Sequence, residues 1–202
     1  LDDLTIQGVQ IAATNGFAQL GFRADTSQND FNIDGPITVV LSDGSGNPGD
    51  LTATGGSAEN AYAQLGHGGN EGDGNFSGAI MISANDLNFT GGSANDTYAH
   101  LGHGGDNADG DHSGVITVAA TGNLLFMGGT GNDAYAQLGH GGNELDGDAT
   151  GNIFVTGNNF TFTGGTDNDT YAQLGHGGDN ADGDHSGVIT VSATGNLTFT
   201  GG

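Results

Sequence analysis

The chain has 202 residues, 42 of them Gly, and carries one Arg, no Lys and 24 Asp plus Glu, for a formal net charge of −23. That balance excludes a binder of nucleic acid or of an anionic membrane, which needs Lys and Arg to displace counterions, and it makes cations the natural partners. The absence of Cys removes disulfide and thiolate chemistry, and no apolar run is long enough to enter and cross a membrane.

In chain order, residues 1–55 are a degenerate copy of a unit that recurs along the rest of the chain. LTIQG from Leu4, GFAQLGF from Gly16 and PITVVL from Pro36 match the three segments of that unit. This stretch holds both prolines and Arg23. It reads as an atypical terminal repeat that caps or joins, with a separate N-terminal module as the alternative. Its first residues, LDDLTIQG, fit a mature end or a cut from a longer chain.

Residues 56–202 form four regular repeats in one continuous domain. Each is marked by a nonapeptide: AYAQLGHGG from Ala61, TYAHLGHGG from Thr97, AYAQLGHGG from Ala134 and TYAQLGHGG from Thr170, spaced 36, 37 and 36 residues apart. Each repeat carries a YAQLG segment, an ITV-like segment and an LTFTGG-like segment. Within them apolar residues alternate with small polar ones, as Leu197 and Phe199 do with Thr198 and Thr200. Period-two alternation is that of a strand with one face in a core, and Gly interrupts every window long enough for a helix.

The fold expected is therefore all-β, a parallel β-helix (β-solenoid) with three strands per 36–37-residue repeat. One three-sided coil per repeat is favoured, and two smaller coils satisfy the same period. Equivalent residues then stack into ladders: Tyr62, Tyr98, Tyr135 and Tyr171; His67, His103, His140 and His176; and Gln64, Gln137 and Gln173, whose amides are expected to bond to one another along the axis. An aromatic stripe also suits a sugar, and stacked imidazoles suit Zn²⁺, Cu²⁺ or a pH response. A second period overlies the first. GGDNADGDHSGVITV begins at Gly104 and again at Gly177, which fits either duplication of a two-repeat unit or alternating lateral contacts.

The segments ITVSATGNLTFTGG and GGTGNDAYAQLGHGG resemble repeats of large filamentous-haemagglutinin-like bacterial adhesins exported by two-partner secretion. The resemblance covers about residues 51–202. It implies a right-handed parallel β-helix on the bacterial cell surface, acting as a fibre or adhesin stalk. No secretion domain of that family is visible in the chain.

The longest links are acidic. Asp106, Asp109 and Asp111, then Asp146 and Asp148, then Asp179, Asp182 and Asp184 place hard oxygen ligands in Gly-rich turns that suit Ca²⁺. Solvated loops that keep a fibre soluble are the alternative. GGTGNDAYA from Gly128 also fits a calcium-binding nonapeptide, without the tandem copies such sites need.

Acidic-polysaccharide cleavage is disfavoured with Arg23 as the sole basic residue, ice binding is disfavoured because Leu125 and Met127 interrupt the Thr files, and no nucleophile–base constellation stands out, so no enzyme is expected. The function expected is an extracellular structural solenoid. Leu4, Ile6, Leu197 and Phe199 lie on strand edges that join it head to tail to copies of itself or to neighbouring repeats of a longer chain. The alternative is a surface adhesin segment binding a glycan or receptor.

Overall fold

The structure, a computed structural model, describes residues 2–8, 10, 16–24 and 32–202, so parts of the expected N-terminal repeat lie outside the described residues. Among the described residues eighteen strands follow one another without a helix. A first set comprises β1 (Leu4–Gln7), β2 (Ala18–Leu20) and β3 (Ile37–Val40), and a second β4 (Leu51–Thr54), β5 (Ala63–Leu65) and β6 (Ile80–Ala84). The third is β7 (Leu87–Thr90), β8 (Tyr98–Leu101) and β9 (Ile116–Ala120). The fourth is β10 (Leu124–Met127), β11 (Tyr135–Leu138), β12 (Ala149–Thr150) and β13 (Ile153–Gly157). The fifth is β14 (Phe160–Thr163), β15 (Ala172–Leu174), β16 (His185–Ser186) and β17 (Ile189–Ala193), and β18 (Leu197–Thr200) comes after it.

Every strand pairs in parallel with its equivalents in the neighbouring sets. The first face is the sheet β1-β4-β7-β10-β14-β18, the second β2-β5-β8-β11-β15 and the third β3-β6-β9-β13-β17. Leu51 pairs with Leu87 and Leu87 with Leu124, so one repeat is one turn of a parallel β-solenoid and the two-coil alternative is ruled out. The degenerate segments keep register too: Leu4 pairs with Leu51, Ala18 with Ala63 and Ile37 with Ile80.

The alternation in the sequence sets the core. Leu87 and Phe89 of the first face, Ala99 and Leu101 of the second, and Ile116 and Val118 of the third all point into one buried cluster. Equivalent rings stack there, Phe89 on Phe126 at 4.8 Å and Phe126 on Phe162 at 5.0 Å. Burying each such side chain contributes about 1.5 to 3 kcal/mol.

The long link after the second face is not the freely solvated loop its composition suggests. It folds back over the outside of that face and makes bridges of its own, Gly68 to Gly104, Asp73 to Asp109 and Phe76 to His112. Ala108, Phe76 and Leu145 are buried under it.

Two rails of side chains run along the corners. Between the third and first faces, each Asx carboxylate or amide oxygen accepts the backbone N–H one coil later: Asp50 N–H donates to Asp3 Oδ1 at 2.8 Å, Asp86 N–H to Asp50 at 3.1 Å, Asn123 N–H to Asp86 at 2.6 Å, and Asn196 N–H to Asn159 at 2.9 Å. The second rail joins Asn75, Asp111, Asp148 and Asp184 in the same sense, at 2.8, 3.1 and 2.8 Å. Such charge-assisted or amide bonds satisfy N–H groups that lie between strands.

Candidate functional site

The second face carries the repeated nonapeptide, and its strands are covered on both sides. Ala99 and Leu101 face the common core, while Tyr98 and His100 face the link folded over them. Only Gly fits the corner that ends the strand. Gly102 has φ +157°, and a Cβ there would run into the carbonyl oxygen of Gly139 in the next coil. Gly66 and Gly139 repeat the arrangement, which lets two coils approach at strand spacing where the chain bends.

The tyrosines stack as a ladder, Tyr62 on Tyr98 at 4.7 Å, Tyr98 on Tyr135 at 4.9 Å and Tyr135 on Tyr171 at 4.9 Å, with Phe17 on Tyr62 at 5.3 Å. The Gln file differs from expectation. The amides do not bond to one another: Gln64 Nε2 donates to the carbonyls of Gly102 at 3.1 Å and Gly104 at 2.8 Å, and Gln137 Nε2 does the same to Gly175 and Gly177. Gly104 and Gly177 also accept the N–H of Gly69 and Gly142, so each of these amides adds a second bond at the chain bend. His100 takes the Gln place, with Nε2 at 2.7 Å from the Gly139 carbonyl.

The histidines stack at 4.8, 4.9 and 5.2 Å from His67 to His176, and Phe22 occupies the same file at 5.4 Å from His67. Each ring is held at both nitrogens. His67 N–H donates to His103 Nδ1 at 3.0 Å, His103 N–H to His140 Nδ1 at 3.1 Å, and His140 N–H to His176 Nδ1 at 3.1 Å. Nε2 lies 3.1 Å from the Gly78 carbonyl in His103 and 2.8 Å from that of Gly151 in His176. Since Nδ1 accepts, Nε2 must carry the proton and donate: the ladder is neutral imidazole in one tautomer. Burial drives His103 down to about 3 and holds His140 well below the ordinary value. With both nitrogens engaged, this ladder has no lone pair left for Zn²⁺ or Cu²⁺. His112 stands apart, buried between Phe76 and Ala149 and stacked on Phe76 at 5.0 Å.

The acidic residues expected to hold calcium fall into different settings. Asp109, Asp146 and Asp182 stand one per coil in a bridge file with Asp73. Asp111 and Asp148 each accept a backbone N–H of the next coil, and Asp184 is the last member of their rail. Asp106 is buried and accepts from Asn143 Nδ2 at 3.0 Å; burial, reinforced by Asp96, Glu144 and Asp133, raises its carboxyl to about 7 against that hydrogen bond. Asp179 alone joins a cluster: with Asp133 and Asp169 it is the one group among the described residues whose three ligand atoms all lie within 4.8 Å of one another.

Asp133 and Asp169 are absent from the calcium residues read from the sequence. They belong to the ND pair before YAQL, at a position held in the left-handed region in each repeat: Asn60, Asp96, Asp133 and Asp169 have φ of 58, 56, 54 and 52°. Asn and Asp tolerate that conformation best, and its recurrence is the signal that marks them. The Asp133 carboxyl is raised by burial first, then by Asp96, Asp169, Asp179 and Glu144.

Of the expected joining residues, Leu197 and Phe199 are 50% and 57% exposed on β18, whereas their counterparts one coil earlier on the same face, Phe160 and Phe162, are buried. At the other edge Ile6 is only 5% exposed and Leu4 is half-buried. No protein-family model, no curated protein and no solved structure matches the chain.

Proposed function

We propose that the chain is an extracellular structural element of a bacterial surface fibre, extended by stacking coil on coil. The observation that carries this reading is the bare rung at β17 and β18. Val188, Ile189, Leu197 and Phe199 are all exposed there, while Ile153, Phe160 and Phe162, with which Ile189, Leu197 and Phe199 pair in β13 and β14, are core. An edge of parallel strands bearing apolar side chains in register is complementary to another coil of the same kind. A second copy joined head to tail, or a neighbouring repeat of a longer chain, supplies such a coil, and a heterologous contact that repeats between copies builds a filament. The ladders support the reading, because the repeated Gln and His side chains of the second face are engaged with backbone rather than converging on a substrate.

Negative-stain electron microscopy and sedimentation of the purified chain test it. Uniform filaments that lengthen with concentration are expected, and Phe199→Glu is expected to leave the circular dichroism unchanged while stopping growth. Single short rods at every concentration would overturn self-assembly.

A second reading, an adhesin segment, is favoured by one feature. An open groove on the outer side of the first face is lined by Asn88, Asn123, Asn159, Asn196 and Thr198, side chains suited to sugar hydroxyls. Glycan-array binding by the unassembled chain, lost on Asn123→Ala and Asn159→Ala, distinguishes it.

A further inference from the structure

We infer that Asp133, Asp169 and Asp179, together with the side-chain carbonyl of Asn143, form a binding site for a divalent cation of the calcium type, set between the fourth and fifth coils.

The first support is distance. Oxygens bound to one Ca²⁺ at 2.3–2.6 Å lie at most about 5 Å apart, and the three carboxylate ligand atoms lie within 4.8 Å of one another. No side chain neutralises them: Arg23, the sole Arg or Lys, stands in the first coil over the Phe17 ring, 4.6 Å from its centroid.

The second support is an orphaned donor. Asn143 is 4% exposed, and its Oδ1 has no hydrogen-bond partner. Its Nδ2 is turned back one coil, to Asp106 Oδ1. In a planar amide the oxygen then points the other way along the ladder, toward the coil of Asp179, which is its equivalent in sequence and whose carbonyl accepts the neighbouring Glu144 N–H. A buried carbonyl oxygen without a partner costs about 1 to 3 kcal/mol, and a cation beside Asp179 satisfies it.

The third support is a contrast between files. In the turn after the second face, acid and amide alternate from coil to coil: Asn70, Asp106, Asn143, Asp179 in one file, and Glu71, Asn107, Glu144, Asn180 in the next, in opposite phase. In these two files the two-repeat period keeps carboxylates from stacking on carboxylates, unlike the file of Asp73, Asp109, Asp146 and Asp182. The turn before the second face has no such alternation either, with Asp96, Asp133 and Asp169 in succession. That run lies where Asp179 closes in from the adjacent turn. An all-oxygen donor set favours Ca²⁺ over Zn²⁺, and its irregular geometry suits Ca²⁺ better than octahedral Mg²⁺.

Calcium binding by the whole chain at physiological NaCl, measured by isothermal titration, tests the site. One saturable Ca²⁺ per chain is expected. Asp133→Asn with Asp169→Asn is expected to weaken it about tenfold or more, while Asp109→Asn with Asp146→Asn leaves it unchanged. Should the first variant lose its circular dichroism, terbium luminescence of the unaltered chain decides instead. The chain has no Trp, so emission on ultraviolet excitation must come through its tyrosines, and Tyr171 stands beside this site, its buried hydroxyl sensing the charges of Asp106 and then of Asp179 and Asp133. Tyrosine-sensitised emission displaced by Ca²⁺ supports the site. Equal calcium affinity in the two variants, or terbium bound without sensitised emission, overturns it.

Discussion

A deeply buried imidazole, whether held at both nitrogens as in the ladder or shut away from water as at His100 and His112, resists protonation, and that makes the histidines pH-sensitive residues of this chain. Burial lowers His100 and His112 to about 4 and His103 to about 3. The unfolded chain takes up these protons near pH 6.5 and the folded one does not, so their contribution is complete above pH 6.5 and is lost as pH falls toward 3. At pH 5.5 each fully buried His costs on the order of 1 kcal/mol. Asp106 acts in the opposite sense. Its carboxyl, raised to about 7, destabilises the fold above that pH and is relieved below it. Five buried histidines, His67, His100, His103, His112 and His140, outweigh one carboxylate. The melting temperature is expected to fall by roughly 10 °C between pH 7.5 and 5.5; a flat or rising profile contradicts the neutral ladder. Asp106→Asn keeps the acceptor for Asn143 and removes the buried charge, so at pH 8 it is expected to stabilise by on the order of 3 kcal/mol, read from chemical denaturation.

At the scale of the element, the corner glycines and the Asx rails fix how one strand set lies on the next. Gly102→Ala places a Cβ against backbone at a positive φ, and a loss of about 3 kcal/mol is expected in chemical denaturation. Asp148→Ala removes the acceptor of the Asp184 N–H and is expected to cost about 1 kcal/mol. The strands themselves were legible: Leu87 and Phe89 alternate with Asn88 and Thr90, and that period has one physical meaning. The folded-back link was not. Its buried file runs Ile33, Phe76, His112, Ala149, with His185 paired to Ala149 at the open end. Apart from the two histidines these five residues share no side-chain type, and the Gly-rich backbone around them has no alternation to trace. The acidic cluster escaped for another reason. Asp133 and Asp179 lie in turns on opposite sides of a strand, and their meeting depends on how those turns close rather than on spacing along the chain.

For the whole molecule, charge density is the dominant fact. With one coil per repeat, five intervals of about 4.8 Å carry a net charge of −23 along about 24 Å, denser than duplex DNA at about one charge per 1.7 Å. Self-repulsion of that kind is screened by salt. The melting temperature is expected to rise steadily from low to physiological NaCl, and a chain indifferent to ionic strength would show that the carboxylates are already neutralised at fixed sites.

The rails have one sense throughout: the side-chain oxygen of each coil receives the N–H of the coil after it. Along these two rails a finished rung therefore holds out acceptors toward the C-terminus. A chain that folds from its N-terminus meets, at each turn, a rail already set to receive its next segment. Folding then advances as a ratchet, one turn at a time, and each closed turn secures the one before it.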